Sequence, residues 1–247
     1  MCRVDRIPPP SPARRPPARL LLAAIMVGTL AAAGACSSSS KAPTPPPRST
    51  CVFYDKAPRT QARNVGVPST TSVPVTGTVT MTVQTDQGTI AIAVDRATAP
   101  CSALSFAYLA GRHYFDGGTC NRLTTDEIYT LTCGDPKSAP LGTGPMYGFD
   151  EHAAAGPPSA GTTVTYPRGT VALVTGGTPH SGGGEFFIVY KDTTLPAGAY
   201  PVIGTVTAGM DIVDKIAKSG VKPPDSNSST TDGPSKLVLT VTSLTVG

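Results

Sequence analysis

The last two thirds of the chain break into short β-type runs and two helical ones when read for apolar and polar positions. Val79–Thr85 and Gly88–Val94 alternate around Asp86-Gln87 and predict two strands. Thr170–Val174 and Phe186–Tyr190 are continuous apolar runs, and Tyr200–Val206 is a third. Each is rich in β-branched or aromatic residues and bounded by Gly or Pro, as buried strands are. Between the first two, Gly176 to Gly184 holds five glycines in nine residues, which lets another chain approach the backbone closely. Thr98–Gly111 predicts a helix: a Thr cap, Pro100 in the first turn, Leu104, Phe106, Ala107 and Tyr108 on its apolar side, and Gly111 as its stop. Ala208–Ser219 predicts another, with Met210, Ile212, Val213, Ile216 and Ala217 inward and Gly220 as terminator. A polar loop, Pro223–Pro234, leads to a last strand, Lys236–Val246. No internal repeat is present.

The N-terminal third follows a different pattern. Arg3, Arg6, Arg14, Arg15 and Arg19 precede the apolar run Leu20–Ala35, long enough for a signal-peptide core and too short to span a bilayer well. It closes on Ala33-Gly34-Ala35-Cys36, which resembles a bacterial lipoprotein signal, with Cys36 as the lipidated mature N-terminus. The Arg14-Arg15 pair is followed by Pro16-Pro17, which argues against a twin-arginine signal. Residues 1–35 are therefore read as a leader and 36–77 as a Ser/Pro-rich tether without apolar period. Cys51-Val52-Phe53-Tyr54 interrupts the tether with an apolar island, expected to be pinned onto the domain through its cysteine.

What remains, 78–247, is one domain of about 170 residues, able to bury a real core. The chain has no Trp, 26 Gly and 26 Pro, which suits a β-rich fold. The net charge of +4 is inflated by the leader's five arginines, and no basic stripe remains to suggest nucleic acid. Cys51, Cys101, Cys120 and Cys133 are left after the leader and Cys36, an even number suited to an oxidising compartment. They allow three connectivities. Cys120 and Cys133, expected on neighbouring antiparallel strands, make one reasonable pair; Cys51–Cys101 would then pin the tether. A zinc site would need spacings such as C-x-x-C, and none occurs.

Three segments in order resemble the cyclophilins, peptidyl-prolyl cis-trans isomerases. They are Tyr114-Phe115-Asp116-Gly117 leading through Cys120-Asn121-Arg122-Leu123 to Gly134-Asp135-Pro136; the glycine-rich loop ending in Glu185-Phe186-Phe187; and Gly204 through Val213. The resemblance covers roughly Val79 to Val246. It implies a mainly β fold, a closed eight-stranded antiparallel barrel capped by two α-helices, acting on proline-containing segments of exported proteins. It also implies no cofactor or metal, and binding of cyclosporin-like ligands.

An X–Pro bond isomerises over a barrier of about 18–20 kcal/mol, because rotation breaks amide resonance. Catalysis needs an apolar slot for the ring and a donor aimed at the twisting amide. The resemblance makes Arg122 the catalytic donor and Phe187 the aromatic floor. Counting back from Gly134, it puts Tyr129, Thr130 and Thr132 where the family has Phe, Met and Gln. The Arg122–Pro136 stretch is two residues longer than the common form. Further along, Gly176 stands for Asn, Glu185 for Gln, Leu195 for Trp and Tyr200 for His. Tyr129 and Leu195 are expected in the slot with Phe187; Tyr200, Thr132 and Glu185 at its rim, with Glu185 able to pair with Arg122.

The substitutions also suit an alternative, a peptide-binding lipoprotein with the same fold and no turnover. Two weaker patterns are set aside. His180-Ser181-Gly182-Gly183 is weakly similar to a protease serine motif but lacks a separate His and Asp in context. Asp150-Glu151-His152 could suggest a metal, but consecutive residues rarely face one centre.

Overall fold

The computed structural model describes residues 45–56, 63–120, 122–134, 144–151, 161–225 and 229–247. The leader, Cys36 and His152 lie outside them. The described residues belong to one compact unit, Thr44–Gly247. Its first strands are β1 (Arg48–Cys51), β2 (Tyr54–Asp55), β3 (Thr71–Pro74), β4 (Thr78–Thr85) and β5 (Gly88–Asp95), followed by α1 (Pro100–Ala110). Next come β6 (Thr119–Cys120), β7 (Arg122–Thr124), β8 (Thr130–Cys133), β9 (Tyr147–Gly148), β10 (Thr163–Tyr166) and β11 (Thr170–Leu173). Last are β12 (Phe186–Val189), β13 (Thr193–Pro196), β14 (Val202–Ala208), α2 (Met210–Ser219), β15 (Asp232–Gly233) and β16 (Leu239–Val246).

Ten strands form one antiparallel sheet in the order β15-β7-β8-β12-β11-β14-β5-β4-β16-β6. The sheet curls back on itself. Strands β6 and β7 lie at or next to its opposite ends, yet Asn121 alone separates them in the chain. The Cys120–Cys133 disulfide ties β6 to β8 across the same gap, with Cα atoms 4.0 Å apart. Among the described residues the hydrogen-bonded ladder stays open there and counts ten strands, so the expected closed eight-stranded barrel is observed as a curled open sheet. The two cysteines are accordingly not on paired strands: Cys120 sits opposite Leu239 and Cys133 opposite Phe186.

Alternation explains why the central strands read as unbroken apolar runs. All four residues of β12 are buried. Phe186 and Ile188 point into the main core with Leu131, Val171 and Leu173, while Phe187 and Val189 belong to a second, smaller cluster on the opposite face. A strand buried on both faces carries no polar alternation to read.

Both helices pack into the main core, through Phe106 and Leu109 of α1 and Ile212, Val213 and Ile216 of α2. Leu104, Ala107 and Tyr108 of α1 are only half-buried, so its buried face is rotated from the expected one. The expected Thr cap is also absent. Ala99 occupies the cap position, and Glu151 supplies what it lacks, its carboxylate accepting from the N–H groups of Cys101 (3.1 Å) and Ser102 (2.6 Å). At the start of α2, Gly209 has φ +89°, and a Cβ there would lie 2.5 Å from the Thr89 carbonyl oxygen. Only glycine fits that turn.

Part of the expected tether packs on the domain. β1 pairs with β3 and β2 with β9. Cys51 is bonded to Cys101 on α1, as the pinning expectation required. Phe53 packs edge-on to Tyr147 and against Phe149, with ring centroids 5.4 and 5.5 Å away. Burying such a ring contributes about 1.5–3 kcal/mol.

The two disulfides close sequence separations of 50 and 13 residues. Loop entropy then predicts that a Cys51→Ser, Cys101→Ser double variant loses about 4 kcal/mol of unfolding free energy, against about 3 kcal/mol for Cys120→Ser, Cys133→Ser. Denaturant titration of the oxidised proteins checks the order; a larger loss at Cys120–Cys133 would contradict it.

Candidate active site

Three neighbouring strands assemble the site. Arg122 on β7 is paired with Thr132 on β8, and Thr132 with Phe187 on β12. Paired residues share a face, and adjacent strands lie about 4.8 Å apart, so Arg122 and Phe187 stand about 10 Å apart at their backbones. Between them opens a hollow of ≈ 260 Å³ on the outer face of the sheet. Thr130, Thr132, Glu185, Leu195 and Tyr200 line it, as expected.

Phe187 forms its floor. It is packed with Tyr166, Ala172, Val189 and Leu195 in the smaller apolar cluster. Tyr166 and Leu195 arrive on a separate two-stranded sheet, β10 with β13. Tyr200 stands edge-on to Phe187 with centroids 5.2 Å apart, and its carbonyl accepts from the Tyr166 hydroxyl at 2.8 Å. Burial raises the Tyr166 pKa, which keeps that hydroxyl a donor. On the polar side, the hydroxyls of Thr124 and Thr130 bond each other at 2.8 Å, and Thr124 Oγ1 also accepts from the Thr130 N–H at 3.0 Å. Two buried hydroxyls are thereby satisfied without a partner from outside.

Arg122 is held by Asp232, a residue outside the three family-like segments. Its Nε and Nη2 donate to the two carboxylate oxygens of Asp232, both at 2.7 Å. The fork is bidentate. Hydrogen bonding from Arg122 draws the Asp232 pKa below its ordinary 3.8 and, reciprocally, raises that of Arg122. Glu185, expected as the pairing carboxylate, acts on Arg122 only as a longer-range attraction; Asp232 takes its place. The polar loop Pro223–Pro234 had offered no sign of this, because the contact joins residues 110 positions apart.

Two expected residues lie elsewhere. Tyr129 does not line the hollow: its N–H donates to Thr193 Oγ1 at 3.0 Å, and its ring sits beneath the Lys191 ammonium, 4.0 Å away. Ile128 lines the hollow instead, together with Asp126. The signal was available, since stepping back by two from Thr132 gives Thr130 and then Ile128, all on one face. Ile128 is set by a tight turn in which its N–H reaches the Asp126 carbonyl at 2.5 Å, with Glu127 at φ +54°. Backbone held in that region by a non-glycine residue is costly and concentrates at functional sites.

Gly176 lines an adjoining hollow of ≈ 410 Å³ with Lys56 and His180, and the two hollows share Val174 and Glu185. The weaker motifs dissolve here. His180 Nδ1 pairs with Asp150 Oδ2 at 2.6 Å and its ring stacks on Tyr54, while Ser181 donates to the Thr178 carbonyl. Glu151 caps α1. Among the described residues no group of three His, Cys, Asp or Glu is placed to hold a metal ion.

Fixed guanidinium donors beside a dry aromatic floor can hold a proline ring and stabilise a carbonyl or amide nitrogen twisted out of plane. Comparison with known proteins gives this arrangement its family. Residues 79–243 match the family described as cyclophilin type peptidyl-prolyl cis-trans isomerase/CLD, and the chain belongs to it. It is 39% identical over 176 residues to the probable peptidyl-prolyl cis-trans isomerase B of Mycobacterium tuberculosis H37Rv, covering 68% of this chain and 56% of that protein. With the Mycobacterium leprae protein of the same description it shares 38% over 191 residues, 74% of this chain and 62% of the relative. The chain thus spans less than two thirds of these relatives' length. Among solved structures, a cyclophilin type peptidyl-prolyl cis-trans isomerase of Cryptosporidium parvum superposes with a TM-score of 0.51 at 16% identity, over 69% of this chain and 98% of that one. That likeness speaks to the fold: mainly β with two helices, of cyclophilin type.

The Arg122–Asp232 pair has a definite pH signature. The folded carboxyl is depressed, so its stabilisation is complete above the ordinary carboxylate value and is lost as pH falls through the depressed one. A carbon-detected titration of Asp232 is expected to show a midpoint below 3.8 that moves upward in Arg122→Ala. A wild-type midpoint at or above 3.8 would remove the pair.

Proposed function

We propose that this protein is a peptidyl-prolyl cis-trans isomerase that assists the folding of exported proteins from a lipid-anchored position outside the cytoplasm. The observation that carries the reading is the row Arg122–Thr132–Phe187 across β7, β8 and β12, in a chain of the cyclophilin family. Phe187, Leu195 and Ile128 hold the proline ring, with Tyr200 at its edge. Arg122 donates toward the amide as it twists, where donors strengthen more than in either planar state. Thr130, Thr132 and Glu185 form the polar rim, and Glu185 and Val174 lead into the adjoining hollow beside Gly176. No step requires a nucleophile, metal or cofactor.

The anchored, exported location rests on the leader pattern ending at Cys36. The two disulfides fit an oxidising compartment. A second reading, a peptide-binding lipoprotein without turnover, is favoured by the engagement of Arg122 with Asp232 and by the short side chains at Thr132 and Gly176.

The full chain is expected to accelerate isomerisation of a short X-Pro peptide, and Arg122→Ala to lower kcat about 100-fold or more. Peptide binding without acceleration would transfer the protein to the second reading. In a bacterial host, radiolabelled palmitate should enter the wild type and not Cys36→Ala; equal labelling, or none in either, would remove the anchor.

A further inference from the structure

We infer that Asp232 is a positioning residue of this site, which fixes the Arg122 guanidinium so that its remaining donors face the proline slot. The inference rests on the isomerase reading above and adds to it a residue from the far end of the chain. The two bonds to Asp232 occupy Nε–H and one proton of Nη2, which form one edge of the planar fork. Among the described residues the other edge, Nη1 with the second Nη2 proton, has no partner and is left for a ligand.

Without that clamp little around Arg122 would orient it. Its side chain is 47% exposed, and a long exposed side chain samples many rotamers. The residue paired with it on β8, Thr132, carries only a short hydroxyl. Glu185 lines the same hollow but acts on Arg122 through attraction alone, and attraction does not set an orientation. A bidentate carboxylate does, because the guanidinium is flat and its donors are fixed.

Asp232 is itself secured. It lies on β15, paired with Thr124 of β7, and Gly233 is paired with Leu123. The Thr125 N–H donates to the Thr231 carbonyl at 2.8 Å, and Thr230 Oγ1 donates to the Asp232 carbonyl at 2.8 Å. A carboxylate stitched to the next strand can fix its partner. One swinging on a loose loop could not.

The fold also supplies a control. Arg168 and Asp214 make another exposed bidentate ion pair, through Nη1 and Nη2 at 2.7 and 2.9 Å, and neither lines the hollow. Removing Asp214 removes a bidentate ion pair away from the hollow and leaves Arg122 untouched.

The test compares Asp232→Ala, Asp232→Asn and Asp214→Ala in the full chain. Asp232→Ala is expected to lower kcat about 10- to 100-fold with KM changed less than about twofold, as misplacement of a catalytic group does. Asp232→Asn, which keeps one acceptor, should recover part of the loss, and Asp214→Ala should behave as wild type. The charged and titratable groups acting on Arg122 are Asp232, Tyr200 and Glu185, and Asp126 lines the same hollow. Among the described residues only the Asp232 carboxyl bonds it directly, so the acid limb of the wild-type kcat profile should weaken in Asp232→Asn. A readout free of turnover is the Arg122 Nε–H resonance, expected to be distinct and slowly exchanging in the wild type and averaged in Asp232→Ala. Unchanged or increased kcat in Asp232→Ala overturns the inference, as does a wild-type Nε–H already averaged. An inactive wild type whose Nε–H is distinct would refute the isomerase reading and leave the clamp standing.

Discussion

Everything at this site depends on the antiparallel pairing of β7, β8 and β12. A strand shows its side chains alternately to two faces, so one register decides two things together. It sends Leu123, Leu131, Phe186 and Ile188 into the core, and it lays Arg122, Thr132 and Phe187 in a row outside it. A slip of one residue would bury the arginine and expose the core. The burial that stabilises the sheet is therefore what holds the site in alignment, and the chemistry needs no scaffold of its own.

The outer row would be an ordinary solvated face without a second layer. β10 and β13 bring Tyr166 and Leu195 over it, and with Phe187 and Val189 they make an apolar cluster apart from the main core. That puts an apolar floor and an exposed cation in one hollow. Apolar contact alone would hold a proline without choosing between planar and twisted amides. A donor alone would be quenched by water. In the function proposed here, the combination would favour the twisted state, which is what catalysis by differential binding requires.

The N-terminal segment shows the same economy. Residues that read as a proline-rich spacer carry Cys51 and Phe53 onto α1 and the β9 region, and Tyr54 onto His180 of the glycine-rich loop. The loop owes part of its shape to a stretch far away in the chain. Asp150, holding His180 through both its backbone N–H and its ring, completes that link.

Local pattern was enough for much of this protein. The apolar runs marked β4, β5, β11, β12 and β14, Pro100 and Gly111 bracketed the first helix, Gly220 ended the second, and three ordered segments carried the family. These features arise between near neighbours, through propensity, periodicity and backbone freedom, so one sequence displays them. What the sequence did not display came from residues far apart. Asp232 meets Arg122 across 110 positions, and Glu151 caps a helix 49 and 50 residues before it. The open ten-stranded ladder is likewise a matter of which strands find hydrogen-bonding partners. A carboxylate looks the same in a chain whether it will face solvent, a helix end or a guanidinium; only the folded sheet decides its partner.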